Sequence, residues 1–425
     1  MTSDTVVVRG ERQPAHDDYD AIVDVATTQG LVTHAVAIAK FTCGFDPRAK
    51  SGPLSPVGAE PLKNDFRKFE RVPKVLPGCD FWREKPYVDF VVLGEATPPG
   101  GKRTTKMVVR AAIGDVEKHI AVFGPRRITW DSNDRIHVGR PDPFESIPLT
   151  LPHAYGGIDP RVPNDRGDDL LTRMLLVVDH PGLYPRNPFG RGYLVDPRPV
   201  EDARLEMPNL EDPSDLLSEE RLVVRDPRLW WRQPLPWALD FVHPVTFPRY
   251  IYFHEGTDAW YPGPEDDSLP EVRRGFLPPR FRSELRFPYS TAHPLYGQEA
   301  SYGLALRTVV GNETATLEGM DAAFPTIRFR LDGATSHVFD LKLDGQRQRV
   351  EPKLQSIAVR VADRRVCLVF AATVPLPRPF VLGVHRHIPI SLSVDGRPPI
   401  DYEAPPTIAD QLARASQERG ATGPE

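Results

Sequence analysis

The sequence lacks the features that identify a membrane-spanning, metal-binding or disulfide-stabilised protein. It has three cysteines, Cys43, Cys79 and Cys367, which lie far apart and show no metal-ligand spacing. Such scattered thiols argue against a disulfide framework and favour a reducing compartment. No apolar run approaches the roughly 18 residues that a transmembrane helix needs, and the N-terminal residues lack the basic and apolar regions of a signal peptide. We therefore expect a cytoplasmic protein with no membrane span.

An excess of basic charge is also missing. Lysine and arginine number 53 and aspartate and glutamate 58, which gives a formal net charge of -5. Nucleic-acid binding requires a concentrated basic surface. The sequence therefore gives no reason to expect a nucleic-acid partner.

Metal-binding patterns are incomplete. His254 and Glu255 in FHEGTDAW lack the second histidine, four residues on, of zinc proteases. His385 and His387 in GVHRHIPI would share one face of a strand, but a metal would need a third ligand from elsewhere. An ordinary exposed pair is the favoured interpretation, and we expect no metal and no cofactor.

Catalytic patterns are equally sparse. No Gly-x-Ser-x-Gly elbow occurs. Acidic clusters occur as NDRGDD, NLEDPSD and PEDD, and a glycosidase would need two such carboxylates at a defined separation. Acidic residues beside proline and glycine more often form turns. The sequence therefore predicts no catalytic residue.

Proline, in contrast, is abundant. The chain has 47 prolines in 425 residues, about twice the usual ~5%. Because proline removes a backbone donor and disrupts helix interiors, we expect predominantly β structure with less than about a fifth helix.

Strand-like apolar runs occur towards both ends of the chain. The pair Gly114-Asp115, between two such runs, is a hairpin signal, and we expect an antiparallel meander from Tyr87 to Val138. Ala362 to Arg365 is expected to join two further strands. The predicted strands are Leu31–Cys43, Tyr87–Ala96, Arg127–Trp130, Ile136–Val138, Thr326–Leu331, Val338–Gly345 and Leu354–Val374.

The middle of the chain, from Pro152 to about Ala300, is irregular and rich in proline, glycine and tryptophan. Residues 406–420, PTIADQLARASQERG, predict a short C-terminal helix. The expected fold is mainly β: an antiparallel sandwich or barrel-like assembly with a long Pro-rich irregular middle segment. The expected division is an N-terminal β region (1–160), a covering region (161–310), a C-terminal β region (311–400) and a helix with tail (401–425), or one intertwined domain over about 30–395.

The stretch LYPRNPFGRGYLVDPR, from Leu183 to Arg198, could in principle hold a phosphate. Phosphate loops present consecutive backbone N–H groups at a helix N-terminus, and Pro185 and Pro188 would remove two of them. Arg186 and Arg191 can instead donate to carbonyls and carboxylates, with Gly190 and Gly192 permitting positive φ. The favoured interpretation is a buried polar clasp that turns and locks the chain.

Four ordered segments carry a resemblance to a known family: VFGPRRITW (122–130), PFESIPLTLPHAYGG (143–157), PRNPFGRGY (185–193) and EMPNLEDP (206–213). Together they resemble the DUF2169 family of bacterial proteins, over about residues 30 to 395. Pro125, Leu151 and Pro152 depart from the family's usual residues, and Tyr155 replaces a phenylalanine. The structural residues matched to its motifs are Tyr155, Gly156, Gly157, Arg186, Asn187, Gly190, Arg191, Gly192, Asn209 and Glu211.

The resemblance implies a role without turnover. Such proteins resemble adaptors or chaperones that hold a type VI secretion effector, a secreted toxin, until it is loaded onto the spike complex. The expected partners are this toxin and the spike tip protein, and the oligomeric state stays open. Trp230, Trp231 and Trp237 could anchor the partner or cover the protein's own core. The alternatives are a carbohydrate-active hydrolase using acidic loops around RNPFGRGY, and a structural component of the secretion particle.

Overall fold

The structure is a computed structural model, and it describes residues 14–28, 31–63, 78, 80, 85, 87–162, 182–196, 198–199, 205–224, 233–242, 299–381 and 389–402. The fold is mainly β, with 48% of the described residues in strands and 3% helical. The predicted fold class is therefore confirmed. The helical turns are 3-10 helices at Pro99–Gly101, Leu151–His153 and Glu219–Arg221.

The strands are numbered here in chain order. They are β1 Tyr19–Thr28, β2 Leu31–Gly44, β3 Gly52–Pro53, β4 Ser55–Pro56, β5 Val88–Leu93, β6 Glu95–Ala96, β7 Lys106–Ile113, β8 Val116–Phe123, β9 Arg127–Trp130, β10 Ile136–Val138, β11 Ile147–Pro148, β12 Tyr155–Gly156, β13 Arg191–Gly192, β14 Leu205–Glu206, β15 Leu210–Glu211, β16 Ala305–Leu306, β17 Thr314–Glu318, β18 Thr326–Arg330, β19 Phe339–Leu343, β20 Gln346–Val350, β21 Lys353–Arg360, β22 Arg365–Phe380, β23 Ile390–Val394 and β24 Ile400–Asp401.

The larger sheet has seven strands and contains strands from both the N-terminal and the C-terminal parts of the chain. Its order is β1-β2-β22-β21-β5-β16, with β4 paired to β2. The longest pairing joins β2 to β22, antiparallel, from Val32–Phe380 to Gly44–Arg365. β21 and β5 are parallel.

The second large sheet has the order β15-β8-β7-β17-β18-β3. Its β7–β8 hairpin turns at Gly114, which has φ 56°, as the Gly-Asp signal predicts. Inward side chains of both large sheets, such as Ala37 and Val109, belong to one continuous buried cluster. Among the described strands each sheet keeps two separate edges, so the arrangement is a sandwich of open sheets.

Smaller sheets complete the assembly. The strand orders are β10-β9-β14, β11-β6, β12-β13 and β20-β19-β23-β24.

The predicted meander from Tyr87 to Val138 is wrong. β5 belongs to the seven-stranded sheet, β7 and β8 to the six-stranded sheet, and β9 and β10 to a third. All but the last residue of β5 are buried. A strand covered on both faces is typical of a sheet centre, and β5 lies between two strands that are distant in sequence.

Several predictions fall outside the described residues. They concern the C-terminal helix (406–420), Cys79, Trp230, Trp231, His254, Glu255, His385 and His387. In the described part of the chain, no helix has the length and apolar character needed to cross a membrane.

Candidate functional site

The predicted clasp consists of two loops, residues 151–157 and 184–192, joined by the parallel pair β12–β13. Asn187 lies at its centre and is fully buried. Its side-chain Nδ2 donates to the carbonyls of Leu151 at 2.7 Å and Tyr155 at 3.1 Å. Its own carbonyl accepts from the Gly157 N–H at 2.8 Å. One asparagine thus fixes the two loops to each other.

Two glycines allow the loops to approach closely. Gly157 has φ 96°, and a Cβ there would lie 2.4 Å from the Gly190 carbonyl oxygen. At Gly190 a Cβ would lie 2.4 Å from Asn187 Nδ2 and 2.5 Å from the Ala154 carbonyl oxygen. Gly190 does not have the positive φ that we expected. It must be glycine because the opposite loop leaves no room for a side chain.

The two arginines of the clasp differ in environment. Arg186 is buried and lies beside the Tyr184 hydroxyl, to which it is hydrogen-bonded. Arg191 is only partly buried, with 29% of its side chain exposed. Its Nε donates to the Pro152 carbonyl at 3.1 Å, and its guanidinium forms an ion pair with Glu206.

Three tyrosines, two in the clasp loops and one directly after them, pack against one another. The rings of Tyr155 and Tyr193 lie 5.2 Å and 5.3 Å from the ring of Tyr184. Burial raises the pKa of all three hydroxyls. The Tyr184 hydroxyl donates to the Pro234 carbonyl at 2.8 Å, which ties the clasp to the segment 233–242.

The EMPNLEDP segment connects the clasp to the six-stranded sheet. The Asn209 N–H donates to the His153 carbonyl at 2.8 Å, and the Asn209 side-chain Nδ2 donates to the Phe123 carbonyl at 3.0 Å. Glu211 accepts from the Leu217 N–H at 2.6 Å and pairs with the buried Arg126 guanidinium. The four sequence segments that carry the family resemblance therefore meet in one place.

Two clefts share Arg191 and Glu206 in their walls. The larger has a volume of about 500 Å³, and Arg103, Glu145 and His153 supply polar groups to its walls. Burial lowers the pKa of His153. The smaller cleft, of about 240 Å³, is lined by apolar side chains such as Ile128 and by the glycines of the clasp.

Of the three tryptophans considered as partner anchors, Trp237 lies within the described residues. Trp237 is 7% exposed and belongs to the main buried cluster. Its indole Nε1 donates to the His119 carbonyl at 2.6 Å. Trp237 therefore covers the protein's own core and presents little surface to a partner.

Within the described residues, no group of three or more histidine, cysteine, aspartate or glutamate side chains is placed to hold a metal ion. Cys43 and Cys367 are buried thiols. The geometry here consists of structural hydrogen bonds and two open clefts.

The profile of a family of uncharacterized proteins conserved in bacteria, DUF2169, matches residues 31–371. The chain belongs to the DUF2169 family. The matched region contains the clasp, both clefts and strands β2 to β21. Neither the curated proteins nor the solved structures that were compared include a match to this DUF2169 chain.

Sequence reasoning missed two buried lysines of this DUF2169 chain. Lys118 and Lys85 are buried, and both bind the segment that begins at Glu299. A signal for Lys118 was available: it stands at an inward position of the alternating strand VEKHIAVF, where an apolar residue is expected.

Proposed function

We propose that this DUF2169 protein is a non-catalytic adaptor or chaperone that binds a type VI secretion effector in the cytoplasm and helps to load it onto the spike complex. The observation that carries the proposal is the convergence of four separated sequence segments on one rigid, hydrogen-bonded clasp beside two open clefts. A clasp built this way holds a surface in a fixed shape without supplying reacting groups. Preorganised surfaces bind a partner at a lower entropic cost.

The clefts support a polypeptide as the ligand. The larger cleft combines proline and phenylalanine surface with charged groups of both signs. Apolar contact area surrounded by a polar rim is the usual anatomy of a protein interface. We therefore propose that the effector binds over the Arg191–Glu206 ion pair.

The test is co-purification of the tagged protein with the toxin encoded beside it. Glu145 is the variant of choice because 75% of its side chain is exposed, so Glu145→Lys changes the cleft without disturbing the core. We expect this variant to weaken the complex at least about tenfold, which corresponds to the ~1.4 kcal/mol typical of a significant interface contact.

The matched control is Glu351→Lys, an exposed glutamate between β20 and β21. It makes the same change of charge away from the clefts and should leave binding unchanged. Equal effects of the two substitutions would contradict the proposed surface. Failure to bind any neighbouring toxin would contradict the adaptor function itself.

A carbohydrate-active hydrolase is the second candidate, and one observation favours it. Glu145 and Glu206 line the same cleft, next to the RNPFGRGY segment, and glycosidases use two carboxylates across a cleft. Turnover of a sugar substrate that is lost in both Glu145→Gln and Glu206→Gln would support this candidate over the adaptor. A structural role in the secretion particle predicts instead that the protein is recovered with assembled particles.

A further inference from the structure

Two segments that are distant in sequence lie side by side between the large sheets. We call residues 233–242 and 299–306 the neck. The Val242 N–H donates to the Glu299 carbonyl at 2.7 Å, and Phe241 and Ala300 form an antiparallel bridge. The described chain therefore stops at Val242 and resumes at Glu299 at adjacent points.

Lys118 of β8 forms hydrogen bonds with both segments of the neck. Its Nζ lies 2.7 Å from the Ala238 carbonyl, 2.8 Å from the Tyr302 carbonyl and 3.1 Å from the Ser301 hydroxyl. Its side chain is 2% exposed, and the Trp237 ring lies 4.2 Å from the Nζ atom. A single amine thus connects the six-stranded sheet to both segments.

The surroundings of Lys118 suit both of its protonation states. As an ammonium it donates to two carbonyls and one hydroxyl. As a neutral amine it donates to the two carbonyls and accepts from the Ser301 hydroxyl, because a hydroxyl can serve as donor or acceptor. The Lys118 Nζ atom therefore keeps all three of its hydrogen-bond contacts in both states.

Two acidic groups act on Lys118, Asp240 from the neck and Asp212 from the residues after β15. Asp240 is 1% exposed and accepts from the Leu151 N–H at 3.1 Å and 3.2 Å. The neck therefore contains two buried ionisable groups of opposite sign, one holding it to β8 and the other to the clasp.

We propose that Lys118 and Asp240 form a proton-sensitive clamp, which lets the neck open most readily near neutral pH and tightens it on either side. The pKa values of Lys118 and Asp240 support this proposal. Burial lowers the pKa of Lys118 from 10.5 to about 7 and raises the pKa of Asp240 from 3.8 to about 7.

The direction of each effect follows from proton linkage. When the neck opens and Lys118 reaches water, its pKa returns towards 10.5, so between pH 7 and 10.5 opening takes up a proton. Raising the pH over this range therefore disfavours opening. For Asp240, opening releases a proton between pH 3.8 and 7, so lowering the pH over that range disfavours opening.

Hydrogen exchange of the full-length protein tests the clamp. Protection factors of the Leu239 and Val242 amides, corrected for intrinsic exchange, are compared at about pH 6, 7 and 8 with those of amides in the β2–β22 pair. We expect the neck to be least protected at about pH 7 and about threefold better protected one unit to either side, because each group is half titrated at pH 7 and the two titrations oppose each other there.

Variants show which residue causes the increase in neck protection above pH 7 and which causes the increase below it. Lys118→Met should remove the increase above pH 7 and keep the increase below it, and Asp240→Asn should do the reverse. Ser301→Ala is a milder second variant. It removes a hydrogen-bond partner from both states of Lys118, and because the charged amine forms the stronger hydrogen bond, the increase above pH 7 should begin at a lower pH.

The matched control is Lys40→Met, which replaces a buried lysine paired with Asp80 at 3.0 Å, outside the neck. It should leave the neck profile unchanged. Neck protection that follows the β2–β22 amides at every pH, or an alkaline increase that persists in Lys118→Met, would overturn the proposal.

Discussion

Replacing Asn187 by alanine should be among the most destabilising single changes in the clasp. The substitution leaves the buried Tyr155 carbonyl without its side-chain donor and leaves the Leu151 carbonyl with the Ala154 N–H alone. Each buried polar group that loses its partner costs about 1–3 kcal/mol. With one net hydrogen bond lost at Leu151 as well, we expect a total loss of about 2–4 kcal/mol in the free energy of unfolding, a large part of the ~5–15 kcal/mol typical of a folded domain.

The matched comparison is Arg191→Ala in the neighbouring loop. Arg191 donates one hydrogen bond to the Pro152 carbonyl, and its ion pair with Glu206 is 29% and 45% exposed on the two sides. Exposed ion pairs contribute only about 0–1 kcal/mol, so we expect a loss of about 1–2 kcal/mol.

The assay is equilibrium unfolding in urea, followed by tryptophan fluorescence, for the wild type and both variants. Asn187→Asp is informative as a third variant, because it keeps the shape but directs carboxylate oxygens at two carbonyls. It should destabilise the protein at least as much as alanine does. An Asn187→Ala variant that loses less than about 0.5 kcal/mol, or less than Arg191→Ala, would refute the assigned role of Asn187.

Three further predictions concern neighbouring features. Gly157→Ala should cost about 1–3 kcal/mol of unfolding free energy in urea melts, because φ is 96° and the added Cβ meets the Gly190 carbonyl oxygen. Arg126→Ala should cost about 3–5 kcal/mol in the same assay by leaving the buried Glu211 unpaired, and Arg126→Met with Glu211→Leu should recover much of that loss. Burial raises the pKa of the Cys43 thiol to about 11, so alkylation at about pH 8, read by mass spectrometry, should label Cys43 only after unfolding.

Local features of the fold were predictable from the sequence, and long-range pairings were not. The bounds of β9 and β10 are those expected from their apolar patterns, and the β7–β8 turn follows from its Gly-Asp pair. The parallel pairing of β21 with β5 joins residues such as Val359 and Val92. No local pattern specifies such a pairing, because it depends on which distant strand completes the sheet.

The candidate site shows the same limit. Pro, Gly and Arg in one loop predicted a polar clasp, and the structure brings Asn187, Tyr155 and Gly157 together. The partial exposure of Arg191 could not be read from its own loop, because it depends on where Glu206 lies. The role of Gly190 likewise depends on the opposite loop.

The pairing of β2 with β22 has a consequence for biosynthesis. Thr42 and Cys367 face each other across this pair although 325 residues separate them in the chain. At a translation rate of about 5–20 residues per second, β2 leaves the ribosome roughly 15–65 seconds before its partner exists. During that interval β2, an apolar strand that lies between β1 and β22 in the finished sheet, lacks its β22 neighbour. Nascent chains of this protein should therefore depend on cellular holdases, and their yield should fall when translation is slowed between residues 44 and 365.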